Sequence, residues 1–175
     1  RWALRNRLGV KKFKVGHAGT LDPLATGVLV ICTGRATKAI EGLQSDTKSY
    51  TATIRLGATT PCLDAELPVS KWADAQHIDK EAVVAAAALQ TGTIDQMPPL
   101  YSAKKIKGQK AYAVARKGGD IQLKPSIIEI SRFDIGTVET RTIDGHAVVD
   151  VTAEIDGSKG TYTRAIARDL GKALG

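Results

Sequence analysis

Pro125-Ser-Ile-Ile-Glu-Ile-Ser-Arg-Phe-Asp-Ile-Gly-Thr-Val138 and His146-Ala-Val-Val-Asp-Val-Thr-Ala-Glu-Ile155 lie on either side of the dipeptide Asp144-Gly145. Asp-Gly between two apolar-rich runs is a strong hairpin signal, because a tight two-residue turn needs positive φ at both central positions. The two runs read as antiparallel strands. Upstream, Ser49 to Gly57 alternates: Tyr50, Ala52, Ile54 and Leu56 fall on one face, Thr51, Thr53 and Arg55 on the other. That is the pattern of a half-buried strand. Two stretches read as helices. Ile78 to Gln90 has Asp79 as its N-cap, alanines through its middle and Gly92 at its end. In Ser158 to Gly171 and just beyond, Ile166, Leu170 and Leu174 stack at i, i+4, i+8, Gly160 and Thr161 open the helix, and Tyr162 and Arg164 sit in its first turn. Long strands interspersed with helices, with no internal repeat, predict an α+β fold: a mixed, mainly antiparallel sheet flanked by helices.

The chain of 175 residues is long enough for one domain with a real core, and we expect residues 1–175 to form one. Hydrophobic residues make up 43% and charged residues 25%, the balance of an ordinary globular protein. No apolar run approaches the roughly 20 residues of a membrane span, and no signal peptide is expected. The net charge of +7 suits a polyanionic partner, although a merely basic or membrane-surface protein has the same balance. Cys32 lies in an apolar run and reads as a buried small hydrophobe, Cys62 lies in a loop, and a cytoplasmic location predicts no disulfide. His17, His77 and His146 are scattered, with no metal-ligand spacing. Thr33 to Lys38 reads as a strand-to-helix turn before a short helix over Ala36 to Leu43, or as a weak phosphate cradle. Trp2 to Leu8 reads as the end of a helix, with Leu4 and Leu8 on one face and Gly9 as its stop. Lys11, Lys12 and Lys14 form a solvated connector or an RNA-facing rim.

From Met97 to Pro125 the chain turns basic, with Tyr101 and Tyr112 interleaved and Gly118-Gly119 near its end. Basic residues among aromatics fit nucleic-acid contact; a solvated helical hairpin is the competing reading. Gly16-His-Ala-Gly-Thr-Leu-Asp-Pro-Leu-Ala-Thr-Gly27 carries one carboxylate, Asp22, ahead of a strand over Val28 to Cys32. A residue before proline is pushed into an extended conformation, so Asp22-Pro23 is a stiff turn that holds its carboxylate in one direction. Such a turn either positions chemistry or simply reverses the chain.

The whole Gly16–Gly27 string resembles the active-site motif of the bacterial tRNA pseudouridine-55 synthases, the TruB family of pseudouridine synthases. Three further stretches resemble that family in the same order: Lys48-Ser-Tyr50; Pro99-Leu-Tyr-Ser-Ala-Lys104 with Gly108, Ala111-Tyr112 and Ala115-Arg116; and Lys159-Gly-Thr-Tyr-Thr-Arg164. The resemblance implies the pseudouridine synthase fold with an RNA-gripping insertion, and no cofactor. It implies isomerisation of uridine to pseudouridine at position 55 in the T-arm of tRNA, by a monomer, with Asp22 as nucleophile. An ionised carboxylate can serve as a nucleophile, and a guanidinium beside it favours the charged form, a part that falls to Arg164. Tyr50 is the platform for the flipped base and a candidate for proton transfer from C5. His17, Tyr162, Asp64 and Lys104 are expected to contact substrate, and Lys104, Lys105, Lys107, Lys110, Arg116 and Lys117 to grip phosphates.

The chain departs from the family pattern in places. The loop Thr60-Pro-Cys-Leu-Asp64 lacks an acid that many relatives carry. The family's opening strand, a closing strand and a C-terminal RNA-binding domain are expected beyond Arg1 and Gly175. Two other classes compete. A nucleosidase usually needs two paired carboxylates, and only Asp22 lies in a strong motif. A non-catalytic tRNA-binding chaperone would bind RNA and leave its uridine unchanged.

Overall fold

The computed structural model describes residues 6, 7, 9, 13–45, 47–102, 104–106, 109–116, 119 and 122–175. The chain divides into two compact units, Arg1–Asp46 and Thr47–Gly175. Of the expected first helix, Asn6 and Arg7 are helical, while Trp2, Leu4 and Leu8 lie outside the described residues, as do Lys11 and Lys12. Gly9 turns the chain with φ of +62°.

In the first unit, β1 (Val15–His17) pairs antiparallel with β2 (Ile31–Thr33), Gly16 opposite Cys32. The sequence predicts a strand over Val28 to Cys32; the ladder instead starts at Ile31. The cause is the partner: β1 is three residues long, and after Ala18 donates to the Val30 carbonyl at 3.0 Å the chain leaves for the Gly19–Gly27 loop. The expected helix over Ala36 to Leu43 is a 3₁₀ segment, Gly34–Ala39, running into α1 (Ile40–Ser45). The Thr37 hydroxyl donates to the Gly34 carbonyl at 2.8 Å, a local bond that competes with regular helix. Val15, Ala18 and Cys32 are buried.

The second unit contains β3 (Lys48–Leu56), β4 (Ala58–Thr59), β5 (Lys71–Trp72), α2 (Lys80–Ala88) and β6 (Gly92–Gln96). It continues with β7 (Lys105–Ile106), β8 (Gln109–Lys110), α3 (Ala111–Ala115), β9 (Ser126–Ile143), β10 (His146–Gly157) and α4 (Thr163–Leu174). The main sheet has the order β3-β10-β9-β6 and every neighbour is antiparallel. The hairpin forms as the sequence predicts: Asp144 and Gly145 take φ of +51° and +79°, the two positive values a type I′ turn requires. Because that turn is so short, the ladder runs to its edge, and β9 extends past the expected end at Val138 to Ile143. The Asp79 side chain caps α2 by accepting from the Ala82 N–H at 2.8 Å. Gly92 does not only end that helix. It opens β6, an edge strand on the first part of β9.

One face of the sheet carries the core. Ile54 and Leu56 of β3, Val149, Val151 and Ile155 of β10, and Ile128 and Ile130 of β9 pack with Val83 of α2 and Ile166 and Leu170 of α4. Full burial of each such side chain contributes about 1.5–3 kcal/mol, which sets α4 firmly against the sheet. The other face is ionic. Arg55 donates twice to Asp150, both at 2.7 Å, and Arg141 stands 3.4 Å from the same carboxylate. Hydrogen bonds from Arg55 hold the Asp150 carboxyl below its usual range, against the opposing effect of burial. Arg132 does the same for Asp156.

Candidate active site

Asp22 is the first residue of a turn that closes when the Ala25 N–H donates to the Asp22 carbonyl at 3.0 Å. Proline fits the second position of such a turn because its ring presets φ. Asp22 is half-buried, between exposed Leu21 and largely exposed Leu24. His17 ends β1, exposed, with its ring Nδ1 against the Gly19 carbonyl. Both residues belong to the first unit.

In the second unit, Arg164 is held on two sides. Its guanidinium donates to the Cys62 carbonyl at 3.0 Å and lies 3.5 Å from the Asp64 carboxylate. The two side chains are only 12% and 18% exposed, so the pair is shielded from bulk water. The loop that presents them is knotted by its own polar groups. The Thr60 hydroxyl donates to the Asp64 carbonyl at 2.6 Å, the Leu63 N–H donates to the Thr60 carbonyl at 3.1 Å, and the Glu66 N–H donates to the Asp64 side chain at 2.9 Å. Leu63 takes φ of +62°, a left-handed conformation that lets Asp64 turn back toward Arg164.

The approach to α4 is fixed by a tight corner. Ser158 exchanges two bonds with Glu129: its N–H donates to the Glu129 carbonyl at 2.8 Å and its hydroxyl accepts from the Glu129 N–H at 2.9 Å. Gly157 makes room for the corner, since a Cβ there would come within 2.8 Å of the Thr161 side chain. Tyr162 stands just outside the helix as its N-cap, not in the first turn, and its side chain makes no capping bond. The Gln96 amide serves instead: its oxygen accepts from the Tyr162 N–H at 2.9 Å and its nitrogen donates to the Tyr162 carbonyl at 3.2 Å. Tyr50 faces Ile155 across the β3–β10 ladder and packs, half-buried, against the core side of the sheet.

The structure thus brings Asp64 and Arg164 together, with Tyr162 two residues before the arginine. Lys104 also closes the insertion. Its ammonium donates to the Lys124 carbonyl at 3.1 Å and to the Ser126 hydroxyl at 2.7 Å, which ties the two ends of the basic insertion together. Arg116 pairs with Glu66 at 2.9 Å and lies over the Tyr112 ring, 5.9 Å from its centre. Lys105 and Lys110 are backbone register partners in the β7–β8 ladder, while Lys107 and Lys117 lie outside the described residues. Of the two readings of this stretch, a helical hairpin is not what forms: a two-strand ladder precedes the short α3. Sequence reasoning missed Gln96 and the Cys62 carbonyl. One acts through a buried amide, the other through backbone, and neither leaves a pattern in the residue string.

The model for the TruB family pseudouridylate synthase N-terminal domain matches residues 5–163. The chain belongs to that family, and it is a pseudouridine synthase. It is 47% identical to tRNA pseudouridine synthase B of Parabacteroides distasonis over 175 residues, covering 100% of this chain and 71% of that protein. It is 50% identical over 162 residues to tRNA pseudouridine synthase B of Mycobacteroides abscessus, covering 93% of this chain and 53% of that protein. Two solved structures share the fold: an H/ACA ribonucleoprotein bound to a substrate RNA containing 2′-deoxyuridine (TM-score 0.61, 20% identity, 99% of this chain and 38% of that one) and an archaeal box H/ACA small ribonucleoprotein (TM-score 0.56, 23% identity, 98% and 37%). Among the described residues no helix is long and apolar enough to cross a membrane.

Proposed function

We propose that residues 1–175 are the catalytic domain of an enzyme that isomerises uridine to pseudouridine at position 55 in the T-arm of tRNA, acting as a cytoplasmic monomer. One observation carries the reading: the Asp22 turn sits inside a chain 47% identical to a tRNA pseudouridine synthase B along its whole length. The reaction breaks N1–C1′, turns the uracil and joins C5 to C1′, while a proton leaves C5 and N1 gains one. Atoms and electrons balance without an oxidant or a co-substrate.

Asp22 is the nucleophile in this reading, presented by a proline-set turn. Arg164 supplies a guanidinium whose direction is set by the Cys62 carbonyl and Asp64. A uridine inside a folded RNA loop must be extruded, which costs a few kcal/mol. Stacking on an aromatic ring returns about 1–3 kcal/mol per base, the role of Tyr50, with Tyr162 lining the pocket. In this reading Tyr50 also handles the C5 proton, and His17 holds the base out. Lys104 keeps one N–H for a phosphate after its two internal bonds, because an ammonium has three donors.

The test compares full-length protein with Asp22→Asn on an unmodified tRNA transcript. We expect pseudouridine at the T-arm position from the first and none from the second, with tRNA binding kept. Equal product from both removes Asp22 from the chemistry. Binding without product from either supports a tRNA chaperone instead.

A further inference from the structure

We propose that Gln96 is a positioning residue of this enzyme, holding Tyr162 and Arg164 in register by clamping the backbone at the start of α4. The proposal rests on the reading above that places Tyr162 and Arg164 in the active site.

The first residues of a helix leave backbone N–H groups without partners inside the helix, and the N-cap side chain normally satisfies one of them. Here the N-cap is a tyrosine that makes no side-chain cap bond. Tyr162 holds an extended conformation, with φ of −109° and ψ of 109°. Gln96 fixes that conformation from another strand. It sits at the end of β6, 2% exposed, and its planar amide meets both the N–H and the carbonyl of Tyr162. The same carbonyl accepts from the Ala165 and Ile166 N–H groups at 3.0 and 3.1 Å. One amide therefore aligns the residue that begins the helix and, through it, the first turn that carries Arg164.

A second bond ties the same joint. Arg168, one turn beyond Arg164, donates to the Met97 carbonyl at 2.9 Å. Gln96 and Met97 thus hold α4 at two points, and the chain then passes through Pro98 and fully buried Pro99 into the basic insertion. A buried glutamine is costly to desolvate unless both halves of its amide are satisfied. Here both are satisfied, and both by the residue next to the proposed pocket.

The experiment uses the full-length enzyme carrying Gln96→Ala, Gln96→Glu or, as a control, Gln90→Ala. Gln90 is another buried amide, beyond the end of α2. Turnover of a tRNA transcript is measured at saturation and in single turnover, tRNA affinity by filter binding, and the folded fraction by thermal melting. We expect Gln96→Ala to lower kcat by on the order of tenfold to a hundredfold, the scale of a small misplacement of reacting groups. Its tRNA affinity stays within about twofold, as expected when only a later step is lost. Gln96→Glu keeps the acceptor for the Tyr162 N–H but, ionised, turns an oxygen instead of a donor toward the Tyr162 carbonyl, so its kcat also falls below wild type, and it carries the test if the alanine variant does not fold. Gln90→Ala keeps the wild-type kcat. A wild-type kcat in folded Gln96→Ala overturns the proposal, and so does a loss explained by weaker tRNA binding; where the alanine variant does not fold, folded Gln96→Glu decides, and a wild-type kcat there overturns the proposal. Failure of the underlying reading looks different: wild type makes no pseudouridine, or Arg164→Lys turns over at the wild-type rate.

Discussion

The corner around Arg164 and the turn around Asp22 are built by opposite means. Arg164 is held by residues remote in the chain: its guanidinium reaches the Cys62 carbonyl 102 positions away, and the Gln96 amide spans 66 positions to Tyr162. The backbone of Asp22 is set by a bond from the Ala25 N–H, three positions on, and by the restriction that Pro23 places on it. The first arrangement is backed by a four-stranded sheet and a buried core. The second stands on a ladder of three-residue strands, beside side chains such as Leu24 and Val28 that are 63% and 90% exposed. Long-range bonds keep their geometry only while the fold around them persists. A local turn carries its geometry in its own residues.

The comparison breaks first at the core under α4. Ile166 is fully buried two residues after Arg164, and Ile166→Ala should cost about 2–5 kcal/mol of unfolding free energy, read from urea denaturation. An unchanged midpoint would mean that polar bonds alone hold the helix. The next effect comes from the ionic face of the same sheet. Asp150 and Asp156 titrate below their ordinary range in the folded state, through hydrogen bonds from Arg55 and Arg132 respectively. A depressed folded value adds stability that is complete above the unfolded value and is lost as pH falls through the folded one. Stability should therefore drop as pH falls below about 4. Asp150→Asn should remove about 1–3 kcal/mol at neutral pH, since it leaves Arg55 without its bidentate partner, and should shrink the acid loss. An acid profile identical to wild type would rule this pair out as its source.

The strong local signals in the sequence held. Asp144-Gly145 gives the hairpin because aspartate and glycine readily enter two positive-φ positions, and the alternation of Ser49 to Gly57 gives β3 because one face meets the core. Asp79 caps its helix through its own side chain, three residues from the N–H it accepts. Failures came where partners decide. Val28 to Val30 have strand composition and, among the described residues, no strand paired with them. Gly92 to Gln96 has little apolar alternation and becomes a strand because β9 offers it an edge. At the site, Asp64 and Arg164 were legible as residues but not as a pair, since nothing in the string shows that a left-handed Leu63 turns one toward the other. Lys104 was legible as a cation, but its bonds to Lys124 and Ser126 depend on how the insertion closes.

Pro23→Ala probes the other side of the comparison and should have the smallest effect on stability. Alanine can occupy the second position of the same turn, so the Ala25 N–H keeps its acceptor, and what changes is the freedom of the open form. Removing a proline from a compatible site costs about 0.4–1 kcal/mol, chiefly by enlarging the unfolded ensemble. The restriction that proline places on the residue before it also disappears, and Asp22 gains access to helical backbone angles. Turnover on a tRNA transcript should therefore fall by several-fold while the urea midpoint barely moves, the reverse of the Ile166→Ala result. A wild-type kcat in Pro23→Ala would show that the direction of the Asp22 carboxylate is set by contacts outside its turn. The contrast between a locally built turn at Asp22 and a globally built corner at Arg164 would then reduce to one rule for both.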